Sequence, residues 1–125
     1  MPSLLKSALA AALLVHDALG ARLFASHFSG KVYSLTFERN NTGKGMLSVG
    51  SSSSDCGRMP SWLTLDQANG TLYCFDESYG GGVVSSLDIS GTAIKRSGQS
   101  TTGGNDVHGW LYGGADGKGF LATVE

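Results

Sequence analysis

The chain has 125 residues, and its 9 lysines and arginines nearly balance its 10 aspartates and glutamates, for a formal net charge of −1. This balance gives no reason to expect nucleic acid or an anionic membrane surface as a partner. The 19 glycines favour a turn-rich, all-β protein, and the 2 prolines and the lack of a long amphipathic pattern after residue 20 argue against a helical domain.

Residues 1–20 differ from the rest and are predicted to be a secretory signal peptide. The apolar run over residues 8–15 is too short to span a bilayer. Small residues occupy the −3 and −1 positions of a cleavage site before Ala21, namely Ala18 and Gly20. An uncleaved anchor or an N-terminal helix is the alternative, although Asp17 disfavours an anchor. We therefore expect a secreted, extracellular protein that leaves the membrane after cleavage.

The mature chain begins with a partial unit over residues 22–51. Its three predicted strands carry the apolar and β-branched residues typical of short strands, over residues 22–27, 30–37 and 45–51. A polar loop over residues 51–57 follows. This first unit has three strands where the next one has four.

Residues 59–99 make one complete unit of four antiparallel strands. The turn former Asn69-Gly70 between the first two strands predicts a β-hairpin. The strands, the last being the weakest, are Ser61–Asp66, Thr71–Phe75, Gly82–Ile89 and Thr92–Ser97. A flexible connection over residues 98–105 leads to residues 106–125, which match the first hairpin of a third unit.

A repeat connects these units. Three features recur with a spacing of 48 (110 − 62) or close to it: Trp62-Leu63 as Trp110-Leu111, Ala68-Asn69-Gly70 as Ala115-Asp116-Gly117, and Glu77 as Glu125. Residues 30–37 likewise match residues 82–89, at a spacing of 52 (82 − 30). A period of roughly 40–50 residues is that of a four-stranded propeller blade. Chance similarity among glycine- and serine-rich strands is the alternative.

The repeat predicts about two and a quarter blades, whereas a propeller needs at least ~4 to close. We therefore expect the chain to be the N-terminal part of a longer propeller, in which a C-terminal strand completes the first blade. A small self-contained β-sandwich is the alternative fold.

The order of these motifs resembles the lactonase seven-bladed β-propeller family, which includes 6-phosphogluconolactonase-like proteins and carboxy-cis,cis-muconate cyclase. The resemblance covers residues 22–125 and rests on PSWLTLD, GTLYCFDE, GGGVVSSLDI, TTGG and LYGGADGKGFLATVE. One departure is that many members carry a histidine where Trp110 stands, and His108 lies two positions earlier.

The resemblance implies a hydrolase or lactonising isomerase, which the predicted signal peptide would direct to secretion. Its substrate would be a small molecule, the lactone of a sugar acid or of a carboxymuconate-type acid, and this fragment alone would be inactive. A non-catalytic propeller that binds a ligand or a protein is the alternative.

The hairpin pattern predicts a polar rim, because the start of one strand lies beside the end of the next. Glu77 and His108 are the candidate catalytic residues, since a carboxylate or an imidazole at this rim is able to activate water against a lactone carbonyl. The candidate substrate-binding residues are Arg58, Ser61, Asp76, Asp106, His27 and Glu125. The alternative is that the acidic residues only accept hydrogen bonds from nearby backbone N–H groups.

Other site chemistries are excluded. Gly80-Gly81-Gly82 precedes a strand instead of a helix, which rules out a phosphate-binding loop. Three histidines and two cysteines without zinc spacing predict no metal site, and no cofactor is expected. Trp62 and Trp110 are interpreted as blade packing, with stacking on a sugar as the alternative.

Two further features agree with export. Asn40 and Asn69 each begin an N-glycosylation sequon at a predicted turn. Cys56 and Cys74 are the only cysteines, and an oxidising compartment would permit a disulfide between them. A free, buried Cys74 that packs as a small apolar residue is the alternative.

Overall fold

The computed structural model describes residues 20–113 and 119–124. The predicted signal peptide up to residue 19, the copy of the Asn-Gly turn at Asp116-Gly117, and Glu125 lie outside the described residues. Within them the protein is all-β, with strands β1 Gly20–His27, β2 Lys31–Arg39, β3 Gly45–Ser53, β4 Pro60–Asp66, β5 Thr71–Asp76, β6 Gly82–Asp88, β7 Lys95–Thr102, β8 His108–Tyr112 and β9 Phe120–Val124. The predicted fold class is confirmed.

Each sheet is an antiparallel run of strands in chain order. The first contains β1-β2-β3, the second β4-β5-β6-β7 and the third β8-β9. Neighbouring sheets touch through β1 and β4, and through β4 and β8. The first sheet thus has three strands and the second four, as the repeat predicts.

The hairpin of β4 and β5 forms at the predicted turn. Asn69 donates through its backbone N–H and its Nδ2 to the carboxylate of Asp66, at 3.3 and 2.8 Å. The Gly70 N–H donates to the Gln67 carbonyl at 3.3 Å. This local chemistry explains why the sequence locates the turn correctly.

The fourth strand of the complete unit is longer and later than predicted. β7 runs from Lys95 to Thr102, so the expected flexible connection over residues 98–105 is mostly strand. The sequence pattern does not reveal the true bounds of β7, because this strand is largely exposed and needs no alternation of apolar residues. Its order comes from backbone pairing with β6, from Gly82↔Thr102 to Asp88↔Lys95.

A bulge after Pro60 shifts the equivalence of the two tryptophans by one position. Trp62 pairs with Phe75, and Gly109 pairs with Thr123. Phe75 and Thr123 are 48 residues apart (123 − 75), so Gly109 is the counterpart of Trp62, and Trp110 that of Leu63. The sequence contains this shift, since Ala68 and Ala115 are 47 residues apart (115 − 68), but the matching tryptophans place it after Trp62 instead of before it.

The core lies mainly within the central sheet. Phe75 and Leu87 are fully buried, and each such side chain contributes about 1.5–3 kcal/mol to folding. The buried apolar set is Val32, Cys56, Leu72, Cys74, Phe75, Leu87, Ile89 and Ile94. In contrast, β3 exposes Met46, Leu47 and Val49. Buried contacts are therefore concentrated in β5 and β6, which carry the rim loops.

Candidate functional site

Four connections meet at one end of the sheets, and together we call them the rim. They are residues 28–30, 54–59, 77–81 and 103–107. A Cβ placed on Gly30 would lie 3.3 Å from the Gly57 carbonyl. The Glu77 N–H donates to the Met59 carbonyl at 2.9 Å, and the Asn105 N–H to the Ser78 carbonyl at 3.4 Å. Each connection therefore contacts the next.

Asp76 is buried at the centre of the rim, where it organises two loops. Its Oδ1 accepts hydrogen bonds from the Met59 N–H at 2.9 Å, and from the N–H and Oγ of Ser78 at 3.1 and 2.6 Å. Burial raises the pKa of this carboxyl, but hydrogen bonds from Ser78, Met59 and Arg58 together outweigh burial and hold the pKa below its ordinary value. Asp76 is therefore ionised while it fixes the loop before β4.

Asp106 has a similar position at the next blade. It is fully buried, and its carboxylate accepts hydrogen bonds from the hydroxyls of Thr102 and, at 2.6 Å, Thr123. Its backbone carbonyl accepts a hydrogen bond from Ser61 Oγ at 2.9 Å. Ser61, Asp76 and Asp106 were predicted to bind substrate, but their polar groups are engaged by the chain's own donors and acceptors. They support the rim from within.

His108 lies at the start of β8 and packs against Trp62. Their ring centroids are 4.4 Å apart, with an angle of 45° between the ring planes. The imidazole is half-buried, so part of it faces solvent. A partly shielded histidine beside a flat apolar ring has a defined orientation and remains accessible to a small molecule.

The other accessible rim residues are Arg58, Glu77 and His27. The Arg58 side chain is exposed and that of Glu77 is half-buried. His27 is exposed on the first sheet, and its Nδ1 accepts a hydrogen bond from the Ser29 N–H at 3.1 Å. The structure thus gathers seven of the eight predicted residues at one end of the sheets. Glu125, the eighth, lies outside the described residues.

A groove lies between β4 and β8, below His108. Its volume is about 250 Å³, and it is lined by Trp62, Leu63, Thr64, Leu65, Gly109, Trp110 and Leu111. Its walls are mainly apolar, because Trp62 Nε1 and Thr64 Oγ1 both donate to the Gly109 carbonyl, at 3.1 and 2.7 Å. The groove extends the accessible part of the rim towards the middle of the strands.

Cys56 and Cys74 form a disulfide, with their Cα atoms 5.6 Å apart. Both are fully buried, and the bond joins the loop before β4 to the middle of β5. Gly57 follows at φ +111°, where a Cβ would overlap the carboxylate of Asp76. The disulfide and the glycine together fix the backbone that presents Arg58.

Both sequon asparagines are exposed in turns. Asn40 Oδ1 accepts hydrogen bonds from the Thr42 N–H and from the Lys44 N–H, at 3.1 and 2.9 Å. Asn69 is bound to Asp66 in the β4–β5 turn. These two turns lie at the end of the sheets opposite the rim.

The described part of the chain contains no group of three or more His, Cys, Asp or Glu side chains arranged to hold a metal ion. Among the same residues, none belongs to a helix of the length and hydropathy needed to cross a bilayer.

Several supporting residues escape sequence reasoning. Thr102 precedes Asp106 by only four residues, so this pair is recognisable from the sequence. Thr123 is 17 residues away in another strand. Arg22, at the end of β1 opposite the rim, donates from Nη1 to the carbonyls of Ile89 and Gly91 at 2.6 and 2.7 Å. These partners are 67 and 69 residues distant in the sequence, and no local sequence pattern predicts them.

Comparisons with known proteins agree with this architecture. No match was found among curated proteins, and none among solved structures. The family model described as "Lactonase, 7-bladed beta-propeller" matches residues 22–124, which include all nine strands apart from the first two residues of β1. The chain therefore belongs to the lactonase family of seven-bladed β-propellers.

Proposed function

We propose that the rim is the catalytic face of a secreted lactonase-like protein. It would hydrolyse or form the lactone ring of a sugar acid or of a carboxymuconate-type acid. One observation carries the proposal: in a chain of this family, His108 is half-buried against Trp62 at 4.4 Å, at the same rim as an accessible Arg58 and Glu77.

The proposed chemistry needs one proton-transfer group beside the lactone carbonyl. His108 takes a proton from water, whose oxygen attacks the carbonyl carbon. The bond between that carbon and the ring oxygen then breaks, and the leaving alkoxide takes up the proton that His108 has accepted. Glu77 is the second acid–base group. Histidine and glutamate are common in this role, and general acid–base catalysis contributes about 10²–10⁴-fold to a rate.

Arg58 is proposed to bind the carboxylate of the substrate. A guanidinium is able to donate two parallel hydrogen bonds to a carboxylate. The Arg58 side chain is exposed, and the next residue, Met59, donates its backbone N–H to Asp76 at 2.9 Å. This fixed backbone supports a defined position for the charge, and His27 adds a further polar group from the first sheet.

The scale of the groove supports a small substrate. Pockets for drug-sized ligands are about 300–1,000 Å³, and the groove between β4 and β8 is about 250 Å³. A monocyclic lactone suits this volume. The described residues form three sheets, and the family description specifies seven blades. We therefore propose that the 125-residue chain is inactive alone and that turnover needs the closed ring.

Export is part of the proposal. The buried disulfide between Cys56 and Cys74 is typical of oxidising compartments, so it supports export. Cleavage of the leader before Ala21 belongs to the same proposal. Expression of the chain in a secreting eukaryotic host, followed by N-terminal sequencing, tests this. A secreted protein that begins at Met1, or retention of all the protein in the cytosol, would contradict it.

The activity is tested with two proteins, the 125-residue chain and a seven-bladed protein that contains it. Ring opening is followed on sugar lactones and carboxymuconolactones. We expect turnover only by the longer protein, and a loss of about 10- to 1,000-fold in kcat for Glu77→Gln and for His108→Ala, as expected for a lost acid–base group. Val49→Thr, on the exposed face of β3, is the matched control. Full activity in both rim variants would remove these residues from the mechanism.

A non-catalytic propeller that binds a ligand or a protein is the second candidate. The observation that favours it is that Ser61, Asp76 and Asp106 use their polar groups within the chain, which leaves fewer groups for chemistry. Calorimetric titration with the same lactones separates the candidates, since saturable binding without turnover in the longer protein would support this one.

A further inference from the structure

We infer that Trp62 is a positioning residue that holds the imidazole of His108 in one orientation at the rim. The inference rests on the proposed function for its catalytic meaning. The contact itself is testable without any turnover.

Trp62 is fixed through the N–H of its indole ring. Its Nε1 donates to the Gly109 carbonyl at 3.1 Å and to Thr64 Oγ1 at 3.2 Å. Thr64 Oγ1 in turn donates to the same carbonyl at 2.7 Å. The indole therefore joins β4 to β8, although 37% of its surface is exposed. A side chain with only two rotatable bonds and a bonded N–H loses little further entropy when it supports another ring.

The absence of a side chain at Gly109 permits this geometry. A Cβ at Gly109 would overlap the ring of Phe75, which pairs with Trp62 across the β4–β5 ladder. Glycine lets β8 approach the central sheet until its carbonyl reaches the indole. His108 is the adjacent residue, so the close approach also brings its imidazole within 4.4 Å of the indole.

The backbone on the other side of His108 is fixed as well. The buried carboxylate of Asp106 connects the end of β7 to β9 through Thr102 and Thr123, and its carbonyl accepts a hydrogen bond from Ser61. The chain is thus held two residues before His108 and one residue after it. The main remaining freedom is rotation of the imidazole, and the Trp62 ring restricts that rotation.

Few charged groups share the elements packed against His108. Its own connection carries Asp106, which is buried and hydrogen-bonded. β4 carries Asp66 at its far end, and the described part of β9 has no titratable side chain. The rim loops carry Asp55, Arg58, Glu77 and Tyr79, and Asp76 lies at the end of β5. Glu125 follows Val124 and lies outside the described residues. Its influence on His108 is tested with Glu125→Gln, and that of Glu77 with Glu77→Gln.

The contact is tested by fluorescence. In a Trp110→Phe background of the 125-residue chain, Trp62 is the only tryptophan. A protonated imidazole in contact with an indole quenches its emission, so we expect a step in the emission of Trp62 as the protein is acidified. The step should disappear in His108→Gln and persist in His27→Gln. Emission without a step, or a step that survives His108→Gln, would overturn the inference.

The positioning role is tested by kinetics in the seven-bladed protein. We expect Trp62→Ala to lower kcat by about 10- to 100-fold, since misplacement of a reacting group by ~1 Å costs ~10²-fold, with KM changed by less than about 3-fold. Trp62→Phe keeps a ring against His108 and should recover most of the loss in kcat. The circular dichroism spectrum of Trp62→Ala shows whether its loss comes from misfolding or from a misplaced imidazole. A rise in KM at constant kcat, or an unchanged pH profile in a folded Trp62→Ala protein, would overturn the inference.

The two proposals fail in distinguishable ways. A His108-dependent fluorescence step without lactone turnover would leave the contact in place and remove the catalytic proposal. Turnover that depends on His108 but not on Trp62 would retain the catalytic proposal and remove the positioning role.

Discussion

The two junctions between neighbouring sheets are built from different chemistry. At the first, Arg22 donates to the carbonyls of Ile89, Gly91 and Thr92 in the β6–β7 connection, and Ser51 Oγ donates to the same Thr92 carbonyl at 2.6 Å. At the second, the bare backbone of Gly109 packs against the buried ring of Phe75. The first junction is polar only at its edge opposite the rim, since Val32 and Phe24 of the first sheet also pack in one apolar cluster with Leu72 and Leu87. At the second junction a glycine backbone packs directly against an aromatic ring, next to His108.

The fold therefore tolerates change at the two junctions to different degrees. A guanidinium on a long side chain is able to follow small movements of the carbonyls it binds. A backbone packed against an aromatic ring is not, because close-packed interiors resist changes of even one methylene. The junction beside the candidate site is therefore the stiffer of the two, as a preorganised site requires.

The largest expected effect is at the packed junction. Gly109→Ala places a methyl group into the Phe75 ring, and overpacking of this kind costs about 3 kcal/mol or more in the free energy of unfolding. Urea denaturation measures the loss. Gly91→Ala is the matched control at the polar junction, since no described atom lies within 4 Å of its added Cβ. Equal stabilities for the two variants would mean that the junctions do not differ in stiffness.

Substitution of Asp76 tests whether the stability of the rim also depends on a polar group. Asp76→Ala leaves the N–H groups of Met59 and Ser78 without their acceptor, and we expect a loss of about 2 kcal/mol in the free energy of unfolding. Asp88 makes the same type of turn with the N–H and Oγ of Ser90 at 2.9 and 2.6 Å, but on an exposed surface. Asp88→Ala should therefore be less damaging, and a larger effect than that of Asp76→Ala would contradict the comparison.

The same carboxylate gives the protein a dependence on acid. The pKa of Asp76 is lowered in the folded state, so its contribution is complete above the pKa of an unfolded aspartate, about 3.9. That contribution is lost as the pH falls through the lower, folded-state pKa. We expect the urea concentration at the unfolding midpoint to decrease as the pH is lowered below about 4. The decrease should be smaller in Asp76→Asn. A midpoint that is independent of pH in this range would exclude the effect.

The smallest expected effect is at the polar junction. Arg22→Ala removes three hydrogen bonds to carbonyls that water is able to reach in part, so we expect a loss of about 1–2 kcal/mol in the free energy of unfolding. Arg22→Lys should recover only a fraction, because an ammonium does not reproduce the planar fork of the guanidinium. Arg96→Ala, on the exposed strand β7, is the control. A loss for Arg22→Ala as large as that for Gly109→Ala would reverse the order of the two junctions.

The elements that sequence reasoning located well are those with local causes. The β4–β5 hairpin follows from Asn69-Gly70 and the apolar strands beside it, and the incomplete first sheet follows from the repeat. The late β7 was misplaced because pairing with β6, not its own composition, makes it a strand. The bulge after Pro60 and the reach of Arg22 depend on partners distant in sequence.

The candidate site was predictable in outline only. Strand order alone brings Arg58, Glu77 and His108 to one end of the sheets. It does not tell which acidic residues are buried, and Asp76 and Asp106 differ from Glu77 through the N–H and hydroxyl groups that fold around them. The support of His108 by Trp62 depends on the one-residue shift at the bulge after Pro60, which the matching tryptophans of the repeat place in the wrong part of the strand.

The disulfide between Cys56 and Cys74 has a mechanical consequence. It joins residues 18 positions apart, and the whole of β4 lies inside the covalent ring that it closes. If the two ends of the protein are pulled apart, the force is transmitted through the S–S bond. The residues inside the covalent ring then carry no tension. About 60 Å of contour length, at ~3.3–3.6 Å per residue, then remains hidden until the bond is reduced. The strand that carries Trp62 is shielded from tension even when the sheets on either side are pulled apart.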